Sequence, residues 1–257
     1  MWLLSSCSGY ERLLKSSDVN KKLAKANEFY DKKQYLKASQ LYESLMPVVK
    51  HTKNYEALYF RYAYSAYYME DYMSASYHFR NFTEIFPNST DLAEAEYMHG
   101  YSLYKFSPGY SLDPTYTSKA IGALQTFISN HPNSKYVKDA NKYMDELRGK
   151  LERKDADAAK LYLNIGQYKA AGVAYASVME NYPESDKVDE YQYYIAKSLY
   201  LYARESVKSK QEERYINAMN AYNTLKEEYP NSPYVKEGVK YYQLAEDNLK
   251  KLRNEHK

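Results

Sequence analysis

The side chains able to do chemistry are few and scattered. Histidines ligate metals or move protons when two or three converge with carboxylates or cysteines at fixed spacings. His51, His78, His99, His131 and His256 show no such spacing, and Asp155-Ala156-Asp157 is too short a fragment for a calcium loop. The glycines stand singly, so no phosphate-cradling loop is encoded. Ser89, Ser134, Ser185 and Ser232 each follow a proline by two residues, where a hydroxyl caps the next helix instead of attacking a substrate. Asp91 with Glu94, and Asp186 with Glu190, add negative charge near those helix starts, where the dipole favours it. The expectation is no catalytic residue, no metal and no cofactor, hence no enzyme. Cys7 is the sole cysteine, so no intrachain disulfide can form and its thiol is left for other covalent chemistry.

The elements around these residues repeat. Phe86-Pro87-Asn88-Ser89, His131-Pro132-Asn133-Ser134, Tyr182-Pro183-Glu184-Ser185 and Tyr229-Pro230-Asn231-Ser232 are copies of one phrase. Proline cannot continue a helix and pushes its predecessor out of the α region, so each copy ends a helix. Upstream of each stands an alanine, a bulky residue four later and an apolar residue three after that. These are Ala120, Leu124, Phe127; Ala171, Tyr175, Val178; and Ala218, Tyr222, Leu225. Ala75, Phe79, Phe82 and, without the closing proline, Ala38, Tyr42, Leu45 complete five copies. Three residues before each alanine stand Tyr35, Tyr72, Thr117, Tyr168 and Tyr215. In the preceding helix Tyr59, Tyr62, Ala63, Ala66 and Tyr67 share one face at the helical period, and Glu70-Asp71 makes the turn.

Gly100 to Ala120 and Ala196 to Ala218 exceed the usual twelve-residue spacing, which predicts extra loops inside repeats three and five. The first is Phe106 to Pro114, rich in turn residues. A long helix is expected over about Lys135 to Asp157. The tail from Pro233 to Arg253 reads as a capping helix through Tyr234, Val235, Val239, Tyr242, Ala245, Leu249 and Leu252.

Composition agrees with stacked helices. Eight prolines and eight glycines in 257 residues are too few for a β-sandwich or barrel, while 34 tyrosines fill thin helical layers and leave hydroxyls in water. A net charge of +3, with Lys and Glu interspersed, gives no stripe for nucleic acid. The clusters Arg148, Lys150, Arg153, Lys154 and Lys250, Lys251, Arg253 read as solvated helix surface.

If the first helix of each hairpin lines a concave face, Phe60, Tyr64 and Tyr68 form a stripe about 150° from the core face. Tyr97, Tyr101 and Tyr104 take the same places in repeat three, with Arg61 and Lys105 beside them, whereas Leu23, Asn27 and Tyr30 make repeat one more polar. Two readings are open: the tyrosines pack against neighbouring helices, or they wall a basic-rimmed groove for an extended peptide with aromatic side chains and a carboxylate.

The small–aromatic–proline spacing resembles the tetratricopeptide repeat. Its first-helix signature appears as Ala26 with Phe29, Tyr62-Ala63, His99-Gly100, Ala158-Ala159 with Tyr162, and Ile195-Ala196, positions that core packing explains. The resemblance implies an all-α, right-handed solenoid of about five hairpins plus a carboxy-terminal cap, a shape that binds other polypeptides. Leu4-Ser5-Ser6-Cys7 resembles the lipobox of bacterial lipoproteins, where the cysteine carries a diacylglyceryl thioether. Only Met1 to Leu4 precede it, short of the ~7–15 apolar residues of an export signal, so the true start is expected upstream. No other segment approaches the ~20 apolar residues of a membrane span.

Lipobox, five repeats, the closing phrase and the loop in repeat three together resemble the BamD family of outer-membrane β-barrel assembly lipoproteins, from Cys7 to about Leu252. The run Gly9-Tyr10-Glu11-Arg12-Leu13-Leu14-Lys15-Ser16 is similar to the segment after the lipid cysteine in Bacteroidota-type members. The resemblance implies a periplasmic scaffold on the inner leaflet of the outer membrane, held by lipid on Cys7. It implies a residual signal over 1–6, a lipid-attached tether over 7–19, substrate-side repeats over 20–133, and repeats over 134–257 that dock on a BamA-type barrel subunit. Unfolded barrel proteins would present an aromatic-ended targeting strand to Phe60, Arg61, Tyr64, Tyr68, Tyr97, Tyr101, Tyr104 and Lys105. Another lipid-anchored repeat scaffold or chaperone adaptor is the alternative; an envelope enzyme with a helical-repeat body would need a catalytic domain for which no residues are left.

Overall fold

The computed structural model describes residues 5–255, with side chains from residue 9 to residue 254. Twelve helices and no strand occur among the described residues. They are α1 (Ser5–Leu14), α2 (Val19–Asp31), α3 (Tyr35–Val49), α4 (Tyr55–Tyr68), α5 (Tyr72–Ile85), α6 (Leu92–Phe106), α7 (Thr115–Asn130), α8 (Val137–Asn164), α9 (Tyr168–Asn181), α10 (Val188–Arg204), α11 (Lys208–Glu228) and α12 (Pro233–Glu255). Two compact units part between Gly149 and Lys150, inside α8.

In the first unit α2/α3, α4/α5 and α6/α7 are antiparallel hairpins, each packed on the next. The second unit joins α9, α10, α11 and α12 in the same serial way. The inner alanines Ala38, Ala75, Ala120, Ala171 and Ala218 are all buried, as are the bulky partners Tyr42, Phe79, Leu124, Tyr175 and Tyr222. That pattern is the five-hairpin grammar of the sequence.

Tight turns inside hairpins use one left-handed residue: Lys33 (φ 59°), Glu70 (φ 61°) and Gly166 (φ 80°). The next N–H of each turn reaches back to the preceding helix, as in Gln34 N–H to Phe29 O (2.8 Å), Asp71 to Ala66 (3.1 Å) and Gln167 to Tyr162 (2.9 Å). These bonds satisfy carbonyls that a helix end would leave orphaned. The four proline phrases also fold alike. Phe86, His131, Tyr182 and Tyr229 end their helices, and the serine N–H three residues on donates to each one's carbonyl at 3.0–3.1 Å.

Several expectations change. The serines do not sit at the N-cap of α6, α8 or α10: Ser89, Ser134 and Ser185 accept the N–H two residues later, ahead of those helices. Only Ser232 directly precedes its helix, α12. The extra residues of repeat five form no long loop, because nothing between Ala196 and Ala218 is Pro or Gly and both helices simply lengthen, to 17 and 21 residues. Ala158 and Tyr162 are exposed, so only Ala159 of that signature is core. Val239 is likewise exposed on α12, where Gly238 is buried against Tyr222 and Tyr241 turns toward Tyr193 and Tyr200.

The segment expected as a tether is folded in part. Helix α1 docks on the first hairpin through Tyr10, whose ring meets Phe29 edge-on at 5.7 Å and whose hydroxyl donates to Lys37 O at 2.9 Å. No helix among the described residues is long and apolar enough to cross a membrane.

Candidate functional site

The two aromatic stripes lie within the first unit, on α4 and α6. Phe60 sits over the second helix of its own hairpin, with Phe82 at 4.9 Å and Phe79 at 6.0 Å between ring centres. Tyr64 meets Phe79 edge-on at 5.0 Å and stacks on Tyr68 at 5.7 Å. Tyr68 is 46% exposed and stacks on Tyr35 at 4.7 Å. Arg61 lies over the Tyr30 ring at 5.0 Å and pairs with Asp31 at 3.1 Å, so its charge is shared before any ligand arrives.

Repeat three builds a ladder of rings. Tyr97, Tyr101 and Tyr104 stack in sequence at 5.7 and 5.8 Å. The residue before α8 and the first turns of that helix lie against them, with Tyr136 stacked on Tyr97 at 4.4 Å and Tyr143 on Tyr101 at 4.9 Å and on Tyr104 at 4.4 Å. Tyr97 is therefore 6% exposed, and Tyr101 and Tyr104 are half-buried. Lys105 is exposed, with its ammonium 5.4 Å from the Tyr72 ring. A contact at 6.0 Å between Tyr67 and Tyr101 links the two clusters.

Glu94 is the polar joint between them. It accepts the Tyr64 hydroxyl on one oxygen and the Tyr136 hydroxyl, at 2.8 Å, on the other. Burial, followed by this carboxylate, pushes the Tyr64 phenol far above its ordinary range. The bond from Tyr104 to Glu146 and, after it, burial push that phenol up to about 12. Such phenols stay protonated at neutral pH and serve as donors. The phenol protons are thus given to Glu94 and Glu146, and the face offers ring edges and flanking cations. Ring edges and cations of this kind can meet aromatic side chains and a carboxylate.

All eight sequence-predicted residues come together here, but unequally: Tyr97 is walled in, whereas Tyr68 and Lys105 reach solvent. The sequence reading missed Tyr35, Tyr136, Tyr143 and Glu94. The seven-residue spacing of Tyr136 and Tyr143, two helical turns on one face, was the available signal. The backbone of Cys7 lies in α1, its side chain outside the described residues, as does His256.

On the far side of α6 a cleft of about 670 Å³ opens between α5 and α7, with His99, Leu103 and Glu96 along its floor. The His99 Nδ1 lies 2.9 Å from both Ser76 Oγ and Ser76 O. Burial pushes the imidazoles of His99 and His78 below their ordinary value of 6.5. The unfolded chain then binds these protons first as pH falls, so stability is highest above 6.5 and is lost on descending below it. A His78→Gln, His99→Gln variant is expected to show a flatter fall of Tm with acidification than the parent. Equal slopes would place the acid sensitivity elsewhere.

Comparison with known proteins gives the geometry a family. Residues 16–198 match the family YfiO, described as outer membrane lipoprotein. The outer membrane protein assembly factor BamD of Neisseria gonorrhoeae is 24% identical over 185 residues, covering 67% of this chain and 68% of that protein. BamD of Rickettsia prowazekii is 25% identical over 227 residues, covering 87% of this chain and 82% of its own. Among solved structures, the TPR2AB domain of yeast Sti1 in a complex with pHSP90 has a TM-score of 0.44 at 16% identity, covering 90% of this chain and 99% of that one. The TPR domain of P58(IPK) also has a TM-score of 0.44, at 14% identity, over 93% and 68%. The match over most of its length, with BamD proteins as relatives, makes the chain a member of the YfiO/BamD family of outer membrane lipoproteins.

Proposed function

We propose that this protein is a non-catalytic scaffold of outer-membrane β-barrel assembly, anchored by lipid on Cys7 at the periplasmic face. Its amino-terminal hairpins receive the aromatic-ended strand of an unfolded barrel protein along Tyr68, Tyr64, Arg61, Tyr101, Tyr104 and Lys105. Its carboxy-terminal hairpins dock on a BamA-type barrel subunit. The observation that carries this reading is the tyrosine-walled, cation-flanked face of α4 and α6 in a chain of this family.

An extended peptide ending in an aromatic residue and a free carboxylate would lay its ring against the exposed edge of Tyr68 and its carboxylate toward Lys105. Its further side chains would lie along the open edges of Tyr101 and Tyr104, whose rings are half-buried. Tyr and Arg supply most of the energy at protein interfaces, and the loss of two central contacts there costs affinity by about tenfold or more.

The test is crosslinking and titration with a barrel-derived carboxy-terminal peptide. A Tyr68→Ala, Lys105→Ala variant should bind about tenfold more weakly, while Tm shifts by only a few degrees, since both side chains are exposed. Unchanged affinity would remove this face from the binding surface. Copurification from solubilised membranes with no BamA-type subunit would remove the assembly role.

A further inference from the structure

We infer that the tip of the α2–α3 hairpin is a membrane-contact surface that holds the first hairpin against anionic lipid headgroups, an inference that rests on the anchoring reading of Cys7. Helix α1 runs antiparallel to α2. Its last carbonyl, Leu14 O, accepts the buried Lys22 ammonium at 2.8 Å near the start of α2, whereas Tyr10 meets Phe29 near its end. Tyr10 also bonds Lys37 O at 2.9 Å and Gln40 Oε1 at 2.8 Å in the opening turns of α3. Cys7 lies three residues, or about one turn, further toward the amino end of α1. The docking therefore places the backbone of the acylation position at the α2–α3 turn and not at the opposite end of the hairpin.

That turn has the composition of an interfacial contact. Lys32, Lys33 and Lys37 fall within six residues, and Leu36 stands 62% exposed among them. Asp31 of the turn is engaged by Arg61 of α4 at 3.1 Å, and Glu28, one turn back in α2, pairs with Lys32 at 2.8 Å and Lys25 at 2.6 Å. Five cations, Lys25, Lys32, Lys33, Lys37 and Arg61, thus stand around the tip against the two carboxylates, although the whole chain nets only +3. A positive tip carrying an exposed leucine beside a lipid-bearing residue complements a negatively charged bilayer surface. A polybasic patch next to an acyl chain strengthens attachment in this way, and each lysine near the surface contributes about fivefold. The docking of α1 through Tyr10 and Lys22 adds orientation, because the tip and the lipid enter the same plane together.

The experiment uses the full chain carrying Cys7→Ser, which cannot be acylated, and cosedimentation with phosphatidylcholine vesicles with and without phosphatidylglycerol. Binding to the anionic vesicles only, weakened by salt, is expected. Adding Lys32→Gln and Lys33→Asn should lower partitioning by about 20-fold. Lys250→Gln with Lys251→Gln, which removes the same charge from α12, should leave it unchanged. Equal binding to both vesicle types, or equal losses from tip and control variants, would overturn the inference. Membrane fractionation of Cys7→Ser against the parent in cells reports the anchoring reading separately, since the vesicle measurement involves no acyl chain.

Discussion

Phe79→Ala is expected to cost the first unit about 3–5 kcal/mol, a large part of a domain's typical stability of about 5–15 kcal/mol. Phe79 is fully buried in α5, and its ring lies beneath both Phe60 and Tyr64 of α4. Truncation removes the transfer energy of a benzyl group and leaves a cavity that two helices, already held by their hairpin turn, close only in part. The same cavity takes the floor from two rings of the proposed peptide-binding face, so peptide affinity falls along with stability. Urea unfolding of the full chain, followed by tyrosine near-ultraviolet dichroism, measures the first effect. A loss under about 1 kcal/mol would mean that the α4/α5 layer repacks freely and that its rings are not fixed by the core.

This prediction bears on what the sequence could disclose. The alanine, bulky and apolar positions of each hairpin were legible because only one arrangement satisfies a 3.6-residue period, a small residue at a close crossing and a proline stop. Ala120, Leu124 and Phe127 are fully buried, as that argument requires. The exposed stripe was less legible, for a reason rooted in tyrosine. Its ring is content in a core and its hydroxyl in water, so spacing alone cannot separate a groove wall from a packing layer. The structure divides the stripe: Tyr97 is sealed by Tyr136, whereas Tyr68 keeps an open edge.

Other features failed to show through for simpler reasons. A spacing longer than twelve residues predicts a loop in both repeats three and five. Only repeat three carries Pro108, Gly109 and Pro114 to enforce one; repeat five has no breaker, and its helices extend. The order in α1 depends on Tyr10 meeting Phe29 and Lys37, contacts 19 and 27 residues away that no local pattern announces. Glu94 looked like a helix-dipole residue, and its position near the start of α6 agrees. Its other task, accepting phenols from α4 and from the residue before α8, follows only from the packing of three hairpins.

Two helical glycines give the clearest opposition in sign. A Cβ on Gly100 would stand 2.8 Å from Leu124 Cδ2 and 3.2 Å from the Leu124 backbone nitrogen, where α6 and α7 cross. The side-chain carbon can swing away, but the backbone nitrogen cannot without moving α7. Gly100→Leu is therefore expected to cost about 3 kcal/mol or more, the upper end of overpacking penalties, with Gly100→Ala already destabilising. Gly122, 22 residues later on the exposed side of α7, has nothing within 4 Å of its added Cβ. Alanine there loses less chain entropy on folding, so Gly122→Ala should stabilise by about 0.5–1 kcal/mol. Helix propensity alone favours alanine equally at both positions, so only the close helix crossing at Gly100 can reverse the sign. Paired thermal melts decide the matter: stabilisation by both alanines would show that α6 and α7 do not approach as closely as the buried Gly100–Leu124 contact requires, and the stacking of the third hairpin would need to be redrawn.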